Sequence, residues 1–401
     1  DIPQSDPVGM LVGKVDADTN ESEPEGDATL EGALFTARYY AGDYADAASA
    51  EASGAPARTW VFETDADGFA YLADEYKHSG DPLYYQTNGD ASIPLGTVLI
   101  QETRAPQGYN LDDGHGGGPK VFCVRITQGG AVGESVYTYN SPKVPDTVKR
   151  GDFRLVKEVP VEIYDSPSGD MPQEVVRVLV PGVKFELYND SESAVLSPES
   201  GKLVEPGNRV CTITVNENGL ATTKDDNANV NGWSKPSDWT GALAYGTYRI
   251  HEVIPQDVAD AFKAKWGKTL LPVEDWKTTI REEGQYDPPQ LVNDHIPQTP
   301  LKVVKVDTET GRQVPLPVSF QLEDASGNLV TYTSHYPATD TIDTWTANER
   351  GELTLPMLLE EGDYTLKEVE APYGYVKELE GKAFHVDADY NGWDDPLVIE
   401  F

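Results

Sequence analysis

Three glutamates sit where a strand should carry an apolar side chain. In Thr97 to Glu102 (TVLIQE), Val98, Ile100 and Glu102 share one face, because strand side chains alternate with period two. Tyr248, Ile250 and Glu252 do the same in GTYRIHE, as do Tyr364, Leu366 and Glu368 in DYTLKE. Three lysines obey the same parity: Lys14 with Met10 and Val12, Lys157 with Phe153, Leu155 and Val159, Lys305 with Leu301 and Val303. A charge aimed into a core is costly unless it is paired or neutralised. Burial lowers a lysine's pKa and raises a glutamate's, so such a pair can stand as neutral amine and neutral acid.

A neutral amine is a nucleophile. Two asparagines on late, strand-like segments, Asn140 in VYTYNSP and Asn293 in QLVNDHIP, offer it a carboxamide carbon. Held together by a fold, amine and carboxamide gain the advantage of fixed proximity. The protonated glutamate would polarise the carbonyl and shuttle the proton to departing ammonia, leaving a Lys–Asn isopeptide bond.

The elements that must position these groups recur along the chain, and internal repetition is the strongest signal in the sequence. Each repeat opens with a lysine strand (MLVGKVD, FRLVKEV, LKVVKVD) and continues with a second strand (GALFTARYY, GVKFELYN, PVSFQLED). A turn-and-strand element comes next (TDADGFAYL, NENGLATT, NERGELTLP), whose Asp-Gly, Asn-Gly or Arg-Gly corner reads as a hairpin bend, and then the glutamate strand. The pattern predicts an all-β chain of tandem immunoglobulin-like sandwiches spanning 8–145, 146–298 and 299–401. The third stops inside its last strand, where aligning Phe401 with Tyr139 puts the expected asparagine one residue further on. The second repeat departs from the pattern in PQDVADAFKAKWGKT, where Val258, Phe262 and Trp266 are spaced for one face of a short helix packed on the module's flank. Proline-bearing connectors predict stiff joints and a monomeric rod.

Composition agrees with this reading. The 401 residues fit about three domains, and 36 glycines and 29 prolines favour strands and turns. A formal net charge of -37 argues against nucleic acid and anionic membrane surfaces. No stretch approaches a membrane span, and DIPQSDPVGM lacks a signal-peptide pattern, so the sequence is expected to be cytosolic or a trimmed piece of an exported protein. Cys123 and Cys211 fall in different repeats and read as small buried hydrophobes.

The lysine strand, the glutamate box QETRAPQGY or KEVEAPYGY, and the asparagine on the closing strand resemble the Cna B-type, SpaA-like prealbumin-fold modules of Gram-positive surface proteins and pilins. The resemblance covers nearly the whole chain and is weakest in repeat two, where the box is reduced to EVIPQ. It implies sandwiches whose first and last strands lie side by side, joined by a self-formed isopeptide bond. The pairs it implies are Lys14 with Asn140 assisted by Glu102, and Lys157 with Asn293 assisted by Glu252, with Lys305 and Glu368 an incomplete third site. It further implies an extracellular, cell-wall-anchored stalk or adhesin, attached to peptidoglycan through a sortase signal outside this chain, with no cofactor and no enzyme activity beyond self-crosslinking. The rival function is a ligand-binding adhesin recognising a host matrix protein or glycan, or a pilus subunit; the pilin Tyr-Pro-Lys motif is absent.

Other signals carry less. Arg150-Gly151-Asp152 spells an integrin tripeptide, but a strand-leading glycine in a connector needs no ligand. Asp387, Asp389 and Asn391 match the opening of a calcium loop, although Val398 stands where its last glutamate belongs, and Asn-Gly between strands is first a hairpin turn. Asp16, Asp18 and Asn20 lack the loop glycine. Tyr39, Tyr40, Tyr44, Tyr84 and Tyr85 read as core and cross-strand packing before they read as a ligand patch.

Overall fold

The computed structural model describes residues 11–128, 130–133, 143–163, 174–224, 233–266, 268–293, 298–334, 340–387 and 396–401. Alternation of apolar and polar residues produces strands that close into two-sheet sandwiches, one after another. In module 1 the first strand, Leu11–Asp16, lies between the closing strand Lys143–Asp146, parallel to it, and Phe69–Tyr71, antiparallel. The facing sheet runs in the order Gly130–Gly133, Val121–Thr127, Gly96–Arg104, Leu34–Tyr40, Arg58–Glu63, Lys77–Gly80. Val12, Phe35, Phe62, Val98, Ile100 and Phe122 fill the space between.

The other modules repeat this order. Arg154–Ile163 pairs in parallel with Gln290–Asn293, and Gln298–Val304 with Leu397–Glu400. The facing sheets run Arg209–Thr214, Lys184–Asn189, Gly246–Val253, Trp276–Ile280 in module 2, and Trp345–Thr346, Ser319–Asp324, Gly362–Glu370, Lys382–Val386 in module 3. The flank of module 2 carries the helix Gln256–Trp266, with Phe262 buried and Val258 and Trp266 packed against the core. A second helix, Ala47–Ala52, has no counterpart in the sequence reading. Asp46 caps it by accepting from the Ser49 N–H, yet its six residues are too few for hydrophobic periodicity to show.

Packing explains most of the minor sequence signals. Tyr39 and Tyr40 are buried, and Tyr84 meets Tyr39 and Trp60 edge-on, so these tyrosines serve the core. Neither cysteine is in a disulfide; Cys211 is buried and Cys123 partly so. Asp389 and Asn391 of the calcium candidate lie outside the described residues.

The integrin-like tripeptide has a structural role. Arg150 is 2% exposed at the junction of modules 1 and 2, its Nη2 2.7 Å from Asp18 Oδ2 and 2.9 Å from Glu25 Oε2. Its guanidinium stacks 3.4 Å from the centre of the Trp239 ring, which suits the flat, weakly hydrated guanidinium. Glu25 Oε1 also accepts the Leu196 N–H at 2.8 Å. Backbone bonds bring Gly26 to Ala194 and Ser193, and Asp27 to Tyr245, so the loop from module 1 is built into its neighbour. Asp16, Asp18 and Glu25 bring carboxylate oxygens within 4.8 Å of one another, and the cation among them is Arg150. Removing one partner from a buried ion cluster costs about 3–5 kcal/mol. Arg150→Met is therefore expected to lower the stability of this junction by about 3 kcal/mol, seen as faster hydrogen exchange at 25–28 and 192–196 with the sheet cores unchanged. Unaltered exchange there would contradict this role.

Candidate functional site

The same three devices position the lysine and glutamate in every module. First, the lysine N–H donates to the carbonyl of the corner glycine: Lys14 to Gly68 at 2.8 Å, Lys157 to Gly219 at 2.7 Å and Lys305 to Gly351 at 2.8 Å. These glycines have φ of 80°, 76° and 75°, a left-handed turn that side chains resist. At Gly351 a Cβ would sit 2.0 Å from the Val314 carbonyl oxygen, so the corner admits only glycine. Second, each glutamate stands opposite a buried phenylalanine of the second strand: Glu102 and Phe35, Glu252 and Phe185, Glu368 and Phe320. Third, the two sheets face each other, so lysine from one and glutamate from the other meet across the core.

They meet closely. Lys14 Nζ donates to Glu102 Oε2 at 2.7 Å, Lys157 Nζ lies 2.7 Å from Glu252 Oε1, and Lys305 Nζ 3.1 Å from Glu368 Oε1. Lys14, Lys157, Glu102 and Glu252 are all at most 2% exposed. The inward parity inferred for all six residues is what the structure shows.

The described residues place a group beside the Lys14 amine that the sequence reading did not name. In module 1 the group beside the amine is the carboxyl of Asp146, wholly buried, with Oδ1 2.8 Å from Lys14 Nζ and without the geometry of a hydrogen bond. The parallel register sets Lys14 beside Val144 and Asp16 beside Asp146, so Asp146 projects on the lysine's face two residues along. Asn140 lies outside the described residues. In module 2, Asn293 pairs with Glu158 while Lys157 pairs with Val292, so Asn293 is one position out of phase with the lysine. Asp294, which follows it in sequence, lies outside the described residues. In module 3, Phe401 comes alongside Lys305, its N–H bonded to Val304 and its carbonyl to Val306, and its ring lies 5.0 Å from the Lys305 amine.

Burial sets the electrostatics. It pushes the Glu102 carboxyl up to about 8 against the pull of Lys14, with Asp146 raising it further. Burial likewise raises Asp146, against the same lysine, and lowers the Lys157 amine, against Glu252. Module 1 thus tends toward a neutral acid at Glu102. The other glutamates are held differently: Glu252 Oε2 accepts the Val273 N–H at 2.8 Å, and Glu368 Oε2 accepts the Glu378 N–H at 2.7 Å. A cleft of about 510 Å³ lined by Glu102, Asp112, His115, Lys120 and Val144 borders the module 1 site.

Stability should follow burial. Lys157→Met strands the Glu252 carboxylate in the core, at a cost of about 3–5 kcal/mol, whereas the Lys305 side chain is 10% exposed and Lys305→Met should cost less. Hydrogen exchange of strands 154–163 and 298–304 measures both, and equal losses would contradict the ordering.

Residues 299–394 match the family described as SpaA, prealbumin-like fold domain. Among solved structures, the chain is similar to the Bacillus anthracis TIE protein, at 19% identity and a TM-score of 0.35, over 98% of this chain and 49% of that one, so it spans about half that protein's length. It is similar to BcpA, the major pilin subunit of Bacillus cereus, at 15% identity and a TM-score of 0.38, over 98% of both chains. It is also similar to the full-length major pilin SpaD from Corynebacterium diphtheriae, at 16% identity and a TM-score of 0.32, over 99% of this chain and 96% of that one. No curated protein matches the chain. The sandwich assignment rests on the strand order itself and on the family match of module 3.

Proposed function

We propose that the chain is a tension-bearing stalk segment of a Gram-positive surface protein, whose modules are closed by self-formed isopeptide bonds to aspartate. The observation that carries this is the buried triad of module 1, an amine 2.8 Å from one carboxyl and 2.7 Å from another, joining parallel first and last strands. Lys14 in its neutral form attacks Cγ of Asp146. Glu102 gives its proton to the carboxyl oxygen, the Nζ–Cγ bond forms, and one Cγ–O bond breaks. That oxygen leaves as water, carrying the proton already on the Asp146 carboxyl and the one given by Glu102, and Glu102 regains a proton from the nitrogen, which keeps one as the amide N–H. Fixed proximity supplies about 7–11 kcal/mol of such a barrier. The product has no buried charge, which removes the cost of placing an ammonium in the core.

In module 2 the sequence offers Asp294, two residues past Val292, for the same role beside Lys157 and Glu252. A bridge between adjacent first and closing strands carries a pull applied at the chain ends without unzipping the sheet, and constrains the unfolded chain as a long-loop crosslink does. The segment is on this reading extracellular, wall-attached through another part of its protein, and catalyses nothing on external substrates.

Intact-mass spectrometry tests this. The purified chain should be lighter than its sequence by two waters, one for each of modules 1 and 2. Glu102→Ala should restore one water, and Asp146→Ala the same one. A mass equal to the sequence would overturn the reading, and loss of ammonia would return the acceptor role to the asparagines. The pH dependence is fixed by Glu102, whose carboxyl is protonated below about 8. Bond formation in freshly refolded chain should therefore slow as pH rises through that value, monitored by the same mass change; a rate that climbs steadily beyond it would contradict Glu102 as the acid.

A further inference from the structure

The three sites differ in what faces the second oxygen of the glutamate. One oxygen of each meets the lysine amine. In two modules the other accepts a backbone N–H: Glu252 Oε2 from Val273 at 2.8 Å, and Glu368 Oε2 from Glu378 at 2.7 Å. In module 1, no donor among the described residues reaches Glu102 Oε1, buried though it is. Glu378 stands ten residues after Glu368, and the same count from Glu102 reaches Asp112. That stretch is engaged elsewhere: the Asp112 carboxyl accepts the Gly114 N–H at 2.8 Å and the Thr147 N–H at 3.1 Å, which ties it to the connector. What lies beside Glu102 instead is Asp146, close enough for a proton on Glu102 to bridge the two carboxyls. The difference bears on the chemistry. An acid that hands a proton across must carry it as an O–H, whereas an N–H aimed at a carboxyl oxygen holds that oxygen as an acceptor and favours the charged form.

The Val273 donor belongs to the tail of the helical insertion that sets module 2 apart. Leu270, a few residues beyond the helix Gln256–Trp266, is buried in the module 2 core. Its neighbour Thr269 gives its N–H and hydroxyl to Glu360, at the end of strand Glu352–Glu360 of module 3, at 3.0 and 3.2 Å. The stretch 269–273 is thus fixed at one end to module 3 and at the other to the site glutamate of module 2.

We infer that residues 269–273 are a regulatory strap: the Val273 N–H holds Glu252 in its lysine-paired, proton-accepting form, and the anchor on Glu360 keeps the N–H in place, so that module 2 closes its crosslink later than module 1. The inference rests on the self-crosslinking reading proposed above. Val273 acts on the reaction only through Glu252 and is a positioning residue. Loosening the contact between Thr269 and Glu360 frees the N–H and lets Glu252 serve as the acid, which ties closure of module 2 to the state of its joint with module 3.

Timed sampling of freshly refolded chain, digested and mapped by mass spectrometry for the branched peptides of Lys14 and of Lys157, tests this. The Lys14 branch should form about tenfold faster than the Lys157 branch, or more, the factor expected of one hydrogen bond to a charged group. Val273→Pro, which deletes the N–H, should speed the Lys157 branch by a similar factor and leave the Lys14 branch unchanged. Val273→Ala, which keeps the N–H, should change neither. Glu360→Ala removes only the anchor and should act in the direction of the proline variant, for which it stands in should that variant fail to fold. Equal rates for the two lysines in the parent chain overturn the inference, as does either folded variant, Val273→Pro or Glu360→Ala, in which the Lys157 branch forms no faster. If neither lysine branches, the crosslinking reading fails by itself, and hydrogen exchange at the Val273 amide decides the strap. Slow exchange in the parent that becomes about tenfold faster in Glu360→Ala supports it; fast exchange in the parent, or no change in the variant, overturns it.

Discussion

The module 1 core is organised around one lysine nitrogen enclosed by two carboxyl groups. Lys14, Glu102 and Asp146 come from three different strands, and each is buried where water cannot share its charge. As ions, the three would leave a net negative charge in an apolar core; the rise of Glu102 to about 8 relieves that by keeping a proton. Everything else in the module serves to bring the three together: the corner glycine that fixes the lysine's backbone, the phenylalanine opposite the glutamate, and the parallel pairing of first and closing strands. On the proposed reading, condensation would remove the ammonium and one carboxyl at once.

The first junction is not a loose connector but a second buried ion cluster, with Arg150 stacked on Trp239 and paired with Asp18 and Glu25. Tyr109 links the two centres. It ends the turn that succeeds the Glu102 strand and bonds to Asp16, two residues beyond Lys14, and to the loop at the joint.

Much of this is legible in the sequence, and the misses have physical causes. Parity places all six lysines and glutamates inward, because a strand's alternation survives any tertiary context. The helix over Val258, Phe262 and Trp266 is also legible, since a strand with these three on one face would turn Asp260 inward with them, whereas a helix would not. The carboxyl beside the Lys14 amine is harder to see, because an asparagine is the more obvious electrophile and draws attention to Asn140, which lies outside the described residues. The core of the closing strand, Lys143-Val144-Pro145-Asp146, contains a proline that reads as connector. A parity count finds it: Val144 and Asp146 share a face, as Val292 and Asp294 would on a regular strand. The corner glycines read as bends alone; nothing local says that their carbonyls hold the backbone of the site lysines. Arg150 reads as a connector residue, and its burial depends on Glu25 and Trp239, 125 residues before it in the first case and well after it in the second, a pairing no local pattern reveals.

The most direct measurement of the central claim is peptide mapping of the protease-digested chain by tandem mass spectrometry. The account predicts a branched peptide in which the Lys14 side chain is joined to that of Asp146, one water lighter than its two parts. Linear peptides carrying an unmodified Lys14, or a branch that runs to Asn140, would contradict it.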